Sequence, residues 1–371
     1  MSSRYRRRYG RRGAAALVAL AALATACGGH GATADGDGQG AERARVAGGF
    51  APFVDTTLTP PFDLESAGEQ TGVKHYTLAF VTAEDDGGHG EKSGADGPDG
   101  GDGPDGSDGG DGAASCHPTW GGEDGLTTNA VARAVRGFRD AGGDVRVSFG
   151  GQSGTELAIP CRTTAALTDA YTRVLDALHT RRADFDVEQG ALTDTASVTR
   201  RNEALAALQK QRPGLEVSYT LPVMPEGLTA PGAALLRDAA RHGVKVARVN
   251  IMAMDYGPDY RGDMGRYAER AATAAHGQIA AALGLDATAA WHTLAVTPMI
   301  GANDVSGEVF TPADATHLAG FAADRGIGEL SLWSAARDRP CPDGTSGHAH
   351  PDCSSVDQRP GDFQRALGAA H

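Results

Sequence analysis

The sequence predicts an α/β chain folded as a single (β/α)₈ TIM barrel, and three observations carry that expectation. Eight apolar strand-like runs alternate with segments of helical periodicity. They follow one another through a continuous stretch, 48–340. No glycine-rich G-x-G-x-x-G turn follows the first run, as a doubly wound dinucleotide-binding sheet would require.

The runs can be taken in order. Residues 50–55, FAPFVD, form the first strand, and a short helical stretch leads to the second, 75–83, HYTLAFVTA. A helix near 127–141 precedes the third strand, 144–150, DVRVSFG, and a helix near 163–180 precedes the fourth, 183–188, ADFDVE. Helices near 196–211 and 231–242 flank the fifth strand, 215–223, and lead to the sixth, 246–254. A helix near 263–283, the seventh strand at 293–300, a helix near 312–325 and the eighth strand at 329–333 complete the series.

Composition narrows the function classes. Of 371 residues 40% are hydrophobic and 22% charged, so the chain is neither disordered throughout nor a multispanning membrane protein. Lysine and arginine number 34 against 47 acids, a formal charge of −13, which excludes affinity gained by neutralising nucleic-acid phosphates. Much of the acidity is local. From Glu84 to Gly112 ten acids face one base, Lys92, in a Gly/Asp tract without large apolar residues, so 84–114 is expected to be a disordered insertion after the second strand. Residues 28–47 read as a flexible linker.

The N-terminus has the parts of an export signal. Arg4, Arg6, Arg7, Arg8, Arg11 and Arg12 precede an uncharged run from Ala14 to Ala26, too short to span a bilayer, with Cys27 at its end. Residues 1–27 are therefore read as a signal, and Cys27 either marks ordinary cleavage and release or carries lipid, tethering the chain to the outer face of the cell membrane. Export permits disulfides. With Cys27 set aside, four cysteines allow three pairings; proximity favours Cys341 with Cys353, which leaves Cys116 with Cys161 and makes 341–371 a disulfide-closed tail. Neither cysteines nor histidines have metal-ligand spacing, so no metal or cofactor is expected.

Barrel chemistry belongs at the C-terminal strand ends. In the fourth strand Asp184, Asp186 and Glu188 share one face while Phe185 and Val187 share the other, which points three carboxylates into the lumen. Like charges so close cannot all ionise freely, so one should hold a proton near neutrality, as a general acid must. Asp184-x-Asp186-x-Glu188 resembles the D-x-x-D-x-D-x-E signature of glycoside hydrolase family 18. Ser148-Phe149-Gly150-Gly151 is similar to that family's S-x-G-G motif, Met252-Ala253-Met254-Asp255-Tyr256 stands where its M-x-Y-D motif falls, and Trp333 takes the place of its aromatic floor.

This resemblance implies an exported enzyme cutting β-1,4 links in chitin or chitooligosaccharides by a retaining, substrate-assisted reaction. Glu188 would protonate the glycosidic oxygen, Asp186 would orient the substrate acetamido group, and Asp184 would modulate Asp186. Asp255 and Tyr256 would hold the acetamido group, Tyr219 would line the lumen, and Trp333 would stack on the sugar. Ser148, Gly150 and Met252 would shape the sugar site. Trp120 is either a sugar platform or a core plug, and Asn303 and Asp304 either turn residues or contacts. Two positions depart from the pattern: Arg181 occupies the first aspartate's place, and Met254 that of the strand-six tyrosine. An endo-β-N-acetylglucosaminidase acting on N-glycans and a noncatalytic, lectin-like barrel are the competing functions. Retention of Glu188 favours the enzyme, and a monomer is expected.

Overall fold

A computed structural model describes residues 49–84, 115–122, 125–126 and 130–369. The export signal with Cys27, the linker and the acidic tract beyond Glu84 lie outside the described residues.

Eight parallel strands close into a barrel: β1 in two pieces, Gly49–Phe50 and Phe53–Asp55, β2 His75–Ala83, β3 Asp144–Gly150, β4 Arg182–Asp186, β5 Glu216–Met224, β6 Val246–Ala253, β7 Leu294–Pro298 and β8 Glu329–Leu330. Closure happens at β1. Gly49 and Phe50 pair with Glu329 and Leu330, whereas Phe53 to Asp55 pair with Thr77 to Ala79. Pro52, which has no N–H to give a ladder, sits between the two pieces, and its carbonyl accepts from Thr77 N at 2.9 Å.

Helices form the outer ring: α1 Leu64–Thr71, α2 Ala130–Asp140, α3 Thr164–Ala177, α4 Thr195–Gln211, α5 Ala230–His242, α6 Met264–Leu283 and α7 Pro312–Arg325. Their starts are written in the sequence. Asp63, Thr163, Asp194, Thr229, Asp263 and Thr311 each cap the first turn through a side-chain oxygen, and Thr311 with Asp314 forms a reciprocal capping box. In α3 the apolar residues Leu167, Ala170, Tyr171, Val174 and Leu175 fall on one face and are buried. That face meets the outward rings of the sheet, where Phe149 and Phe185 stack at 5.1 Å and Tyr171 lies edge-on to both.

Beyond the eighth strand the chain returns to the barrel. Helix α8, Asp362–Gly368, packs on α7 with Phe363 and Leu367 buried, and completes the ring. The sequence reading assigns no helix to this tail. Both expected disulfides are present, Cys116–Cys161 and Cys341–Cys353. The first ties the segment before a short strand, Pro118–Trp120, to the loop after β3; that strand pairs antiparallel with the end of β2.

Candidate active site

The lumen is polar along β4. Arg146 reaches from β3 to Glu329 on β8 in a bidentate ion pair at 2.6 and 2.8 Å. Asp184 is buried, and its carboxylate accepts from Ser148 Oγ (2.7 Å), Ser218 Oγ (2.5 Å) and Thr220 Oγ1 (2.9 and 3.0 Å). The network continues across β6 to β7: Asn250 Nδ2 donates to Thr220 at 3.0 Å, and Thr297 Oγ1 donates to Asn250 at 2.8 Å. Burial raises the Asp184 pKa, while its hydroxyl donors and the Arg146 charge pull it back down.

Asp186 and Glu188 come next along the strand and open into a cavity of about 260 Å³. Glu188 lies just past the last β4 pair, at the N-cap of a one-turn helix, Gln189–Thr193, and remains within the cavity lining. Asp186 is 4% exposed, and burial first, then the Glu188 and Asp184 charges, hold its pKa well above the usual carboxylate range. Glu188 is also raised, by burial and by the Asp255 charge, while a hydrogen bond from Asp186 works in the opposite direction. The two carboxyls therefore titrate together, and burial favours keeping one proton between them.

Two glycines bring the neighbouring strand close. Gly150 has φ +97°, and a Cβ there would lie 2.2 Å from the Asp186 carbonyl oxygen; at Gly151, φ +89°, it would meet the Phe80 ring at 2.6 Å. Gly151 N donates to that same Asp186 carbonyl at 3.0 Å. The expected site-shaping role of Gly150 is thus a backbone approach that leaves no room for a side chain.

An aromatic wall stands opposite. Trp333 is pinned between β7 and its own strand end by Trp333 N to Pro298 O (2.9 Å) and Ile300 N to Trp333 O (3.1 Å). Its ring stacks on Phe80 at 5.6 Å and 16°, with Phe53 at 6.1 Å. Met252 and Met254 line the cavity, as does Asp255, whose carboxylate accepts from Val305 N at 2.9 Å. Burial raises the Asp255 pKa as well.

Two expectations are corrected, and one open alternative is decided. Tyr219 does not line the lumen. It stands in register with Phe185, not with Asp184, so period two turns it outward, where its hydroxyl donates to Asn202 of α4. Tyr256 is buried away from the cavity against Tyr260 and Tyr267; Asp255 has φ +50°, which redirects the chain, and Glu308 accepts from Tyr256 N (3.1 Å) and Gly257 N (2.8 Å). Trp120 is 3% exposed in the hydrophobic core and outside the cavity lining, so it is a plug and not a sugar platform. Ser148 acts on the site through Asp184 and not through the cavity. Arg181, in the place of the missing aspartate, is exposed at the foot of β4.

The structure also separates Asn303 from Asp304. Asn303 is a buried turn residue donating to Met299 O (2.8 Å) and Gly301 O (3.1 Å), whereas Asp304 faces the cavity. Phe53, Phe80, Gln152, Met224 and Met299 join the lining without a sequence signal for them. Only alternation along β1 and β2 could have offered Phe53 and Phe80, and the register shift between Leu78 and Val81 obscures it.

No family model matches the chain. The "Probable bifunctional chitinase/lysozyme" of Escherichia coli (strain K12) is 34% identical over 304 residues, 78% of this chain and 31% of that protein. "Endochitinase 11" of Metarhizium anisopliae is 32% identical over 304 residues, again 78% of this chain and 52% of the relative. The chain thus spans about half the length of these curated relatives or less. Among solved structures, the catalytic domain of the hyperthermophilic chitinase from Pyrococcus furiosus superposes with a TM-score of 0.72 at 29% identity, covering 87% of this chain and 95% of that one. In sequence and in fold the chain is thus similar to chitinases, glycoside hydrolases of the type its strand motifs resemble. Asp184 and Asp186 pair within the fourth barrel strand, and Glu188 follows directly after it. A further Pyrococcus furiosus structure, of catalytic-site mutants of active domain 2 complexed with chito-oligosaccharides, aligns with the same TM-score at 28% identity.

Proposed function

We propose that the chain hydrolyses β-1,4 links between N-acetylglucosamine units of chitin or chitooligosaccharides, with retention and with the substrate's own acetamido group as nucleophile. The observation that carries this reading is the placing of the Asp186 and Glu188 carboxyls in one cavity lining with the Trp333 and Phe80 aromatic wall. A bound acetamido N–H donates to Asp186 and favours its carboxylate form. The shared proton then moves to Glu188, beside the glycosidic oxygen. Protonation of that oxygen by Glu188 breaks the bond while the acetamido oxygen attacks the anomeric carbon. Glu188, now a carboxylate, takes a proton from the water that opens the cyclic intermediate. Trp333 carries the sugar ring, and Asp184, fixed by three hydroxyls, keeps Asp186 aimed.

The reading includes export, the setting in which the two disulfides form, with Cys27 as a cleavage or lipid site and the barrel acting as a monomer. It is tested with two hexasaccharides. N-acetylchitohexaose is expected to be cut and its fully deacetylated counterpart left intact; equal cleavage of both would remove the acetamido group from the mechanism.

A pH dependence follows. The raised Asp186 and Glu188 keep their shared proton to higher pH than ordinary carboxyls, so the alkaline limb of kcat/KM should fall above the ordinary carboxylate range, and Asp186→Asn should displace it. Stability carries the same sign. A carboxyl raised by folding adds stability below its unfolded pKa and loses it as pH rises through the folded one. Asp186→Asn should therefore gain thermal stability over the wild type progressively toward alkaline pH. A melting difference independent of pH would contradict the buried-proton assignment.

A further inference from the structure

The lumen has a second mouth. Below Asp184, at the N-terminal ends of the strands, a cavity of about 320 Å³ is lined by His75, Arg146, Arg182, Glu216, Arg248 and Glu329. Period two sets them there: Arg146, Arg182, Glu216 and Arg248 stand two residues before Ser148, Asp184, Ser218 and Asn250, members of the polar network above. The charges do not balance. Glu329 is taken by its bidentate pair with Arg146, and Arg182 has Glu216 at 3.4 Å and Asp144 at 3.9 Å. Arg248 makes no ion pair among the described residues: Nη1 donates to Ala247 O at 2.8 Å, and Nε is buried without an acceptor. A charged donor left so is costly, and an anion offsets that cost. Arg182 Nη1 lies 2.7 Å from His75 Nδ1, and a guanidinium can only donate, so the ring hydrogen of His75 stands on Nε2. Burial, and then the Arg182 charge, lower the His75 pKa and keep the ring neutral.

We propose that this opposite mouth of the barrel binds a phosphate group, with the Arg248 guanidinium as its charge partner and Arg182 and the His75 Nε2–H as further donors. These donors come from three alternate strands, β2, β4 and β6, onto one cavity, an arrangement that suits a tetrahedral oxyanion better than a planar carboxylate. Asp184 and its hydroxyl donors fill the lumen between the two mouths, so the phosphate site is separate from the cavity of Asp186 and Glu188 and does not rest on the proposed hydrolysis.

The test is isothermal titration of the full chain with inorganic phosphate at fixed ionic strength, chloride being the balancing ion, and saturable binding is expected. Arg248→Met should weaken it by about 10- to 100-fold, the worth of a hydrogen bond to a charged group. Arg248→Lys, which keeps the charge without the planar fork, should fall between the two. Because Arg248→Met removes an unpaired charge, it should melt at or above the wild-type temperature without phosphate, and phosphate should then raise the melting temperature of the wild type alone. Phosphatidylglycerol vesicles distinguish the sources of the group: retention of the wild type but not of Arg248→Met would put the phosphate on a lipid headgroup, and calorimetric binding without retention would leave it as the free ion. No saturable binding at millimolar phosphate, equal binding by the wild type and both variants, or displacement of the phosphate by N-acetylchitohexaose would each overturn the site.

Discussion

Glu188→Gln should lower kcat by about 10²- to 10⁴-fold, the contribution of a positioned general acid, with oligosaccharide affinity largely kept. The amide has the size of the acid and stays within reach of Asp186, but it has no proton to give the leaving oxygen. Binding should survive because the cavity surfaces proposed to hold the sugar, Trp333, Met252 and Met254, lie apart from Glu188 in the chain. Single-turnover rates and equilibrium binding of N-acetylchitohexaose, measured on both proteins, check this. A variant that turns over at the wild-type rate would sink the assignment of the acid.

The second large effect is on stability. Arg201 on α4 is fully buried, and Glu156, in the loop after β3, is its acidic partner, at 2.6 Å. Ala158 N (2.8 Å) and Tyr171 Oη (3.3 Å) donate to the same carboxylate. Arg201→Met would leave Glu156 charged in an apolar shell, and such a broken pair costs about 3–5 kcal/mol. Because Glu156 packs behind Gly150, the loss should also loosen the loop that carries Gln152 to the cavity. The double variant Glu156→Gln with Arg201→Met should recover most of the stability, since the uncompensated charge is gone. Denaturant unfolding decides it: a loss below about 1 kcal/mol for the single variant would show that the pair is not the buried anchor described.

The carboxylate column was legible because strands obey a strict period. Asp184, Asp186 and Glu188 alternate with Phe185 and Val187, and burial forces the apolar set toward the helices. The same rule explains the error at Tyr219: Ser218 and Thr220 are the positions in register with Asp184 and Asp186, so the aromatic ring between them had to face outward. Tyr256 lay beyond such reasoning. The left-handed backbone of Asp255 and the distant Glu308, folded back on the short strand pair Gly301–Ala302 and Val309–Phe310, decide where it goes. Nothing local in the sequence encodes that return. Helix α8 was hidden for a related reason. It is two turns long, follows a punctuated segment, and is held by tertiary burial of Phe363 and Leu367 on a helix already in place, not by propensity. The disulfides were legible from spacing alone, since one pair closes a short segment and leaves the other pair determined.

The most direct measurement of the central claim is the anomeric form of the first products of N-acetylchitohexaose hydrolysis, followed by proton NMR before mutarotation. Substrate-assisted attack with Glu188 as acid and then base predicts the β-anomer first, absent when Glu188→Gln replaces the wild type. Products appearing first as the α-anomer would mean direct displacement by water, and would contradict the roles of Asp186, Glu188 and the acetamido group in the proposed reaction.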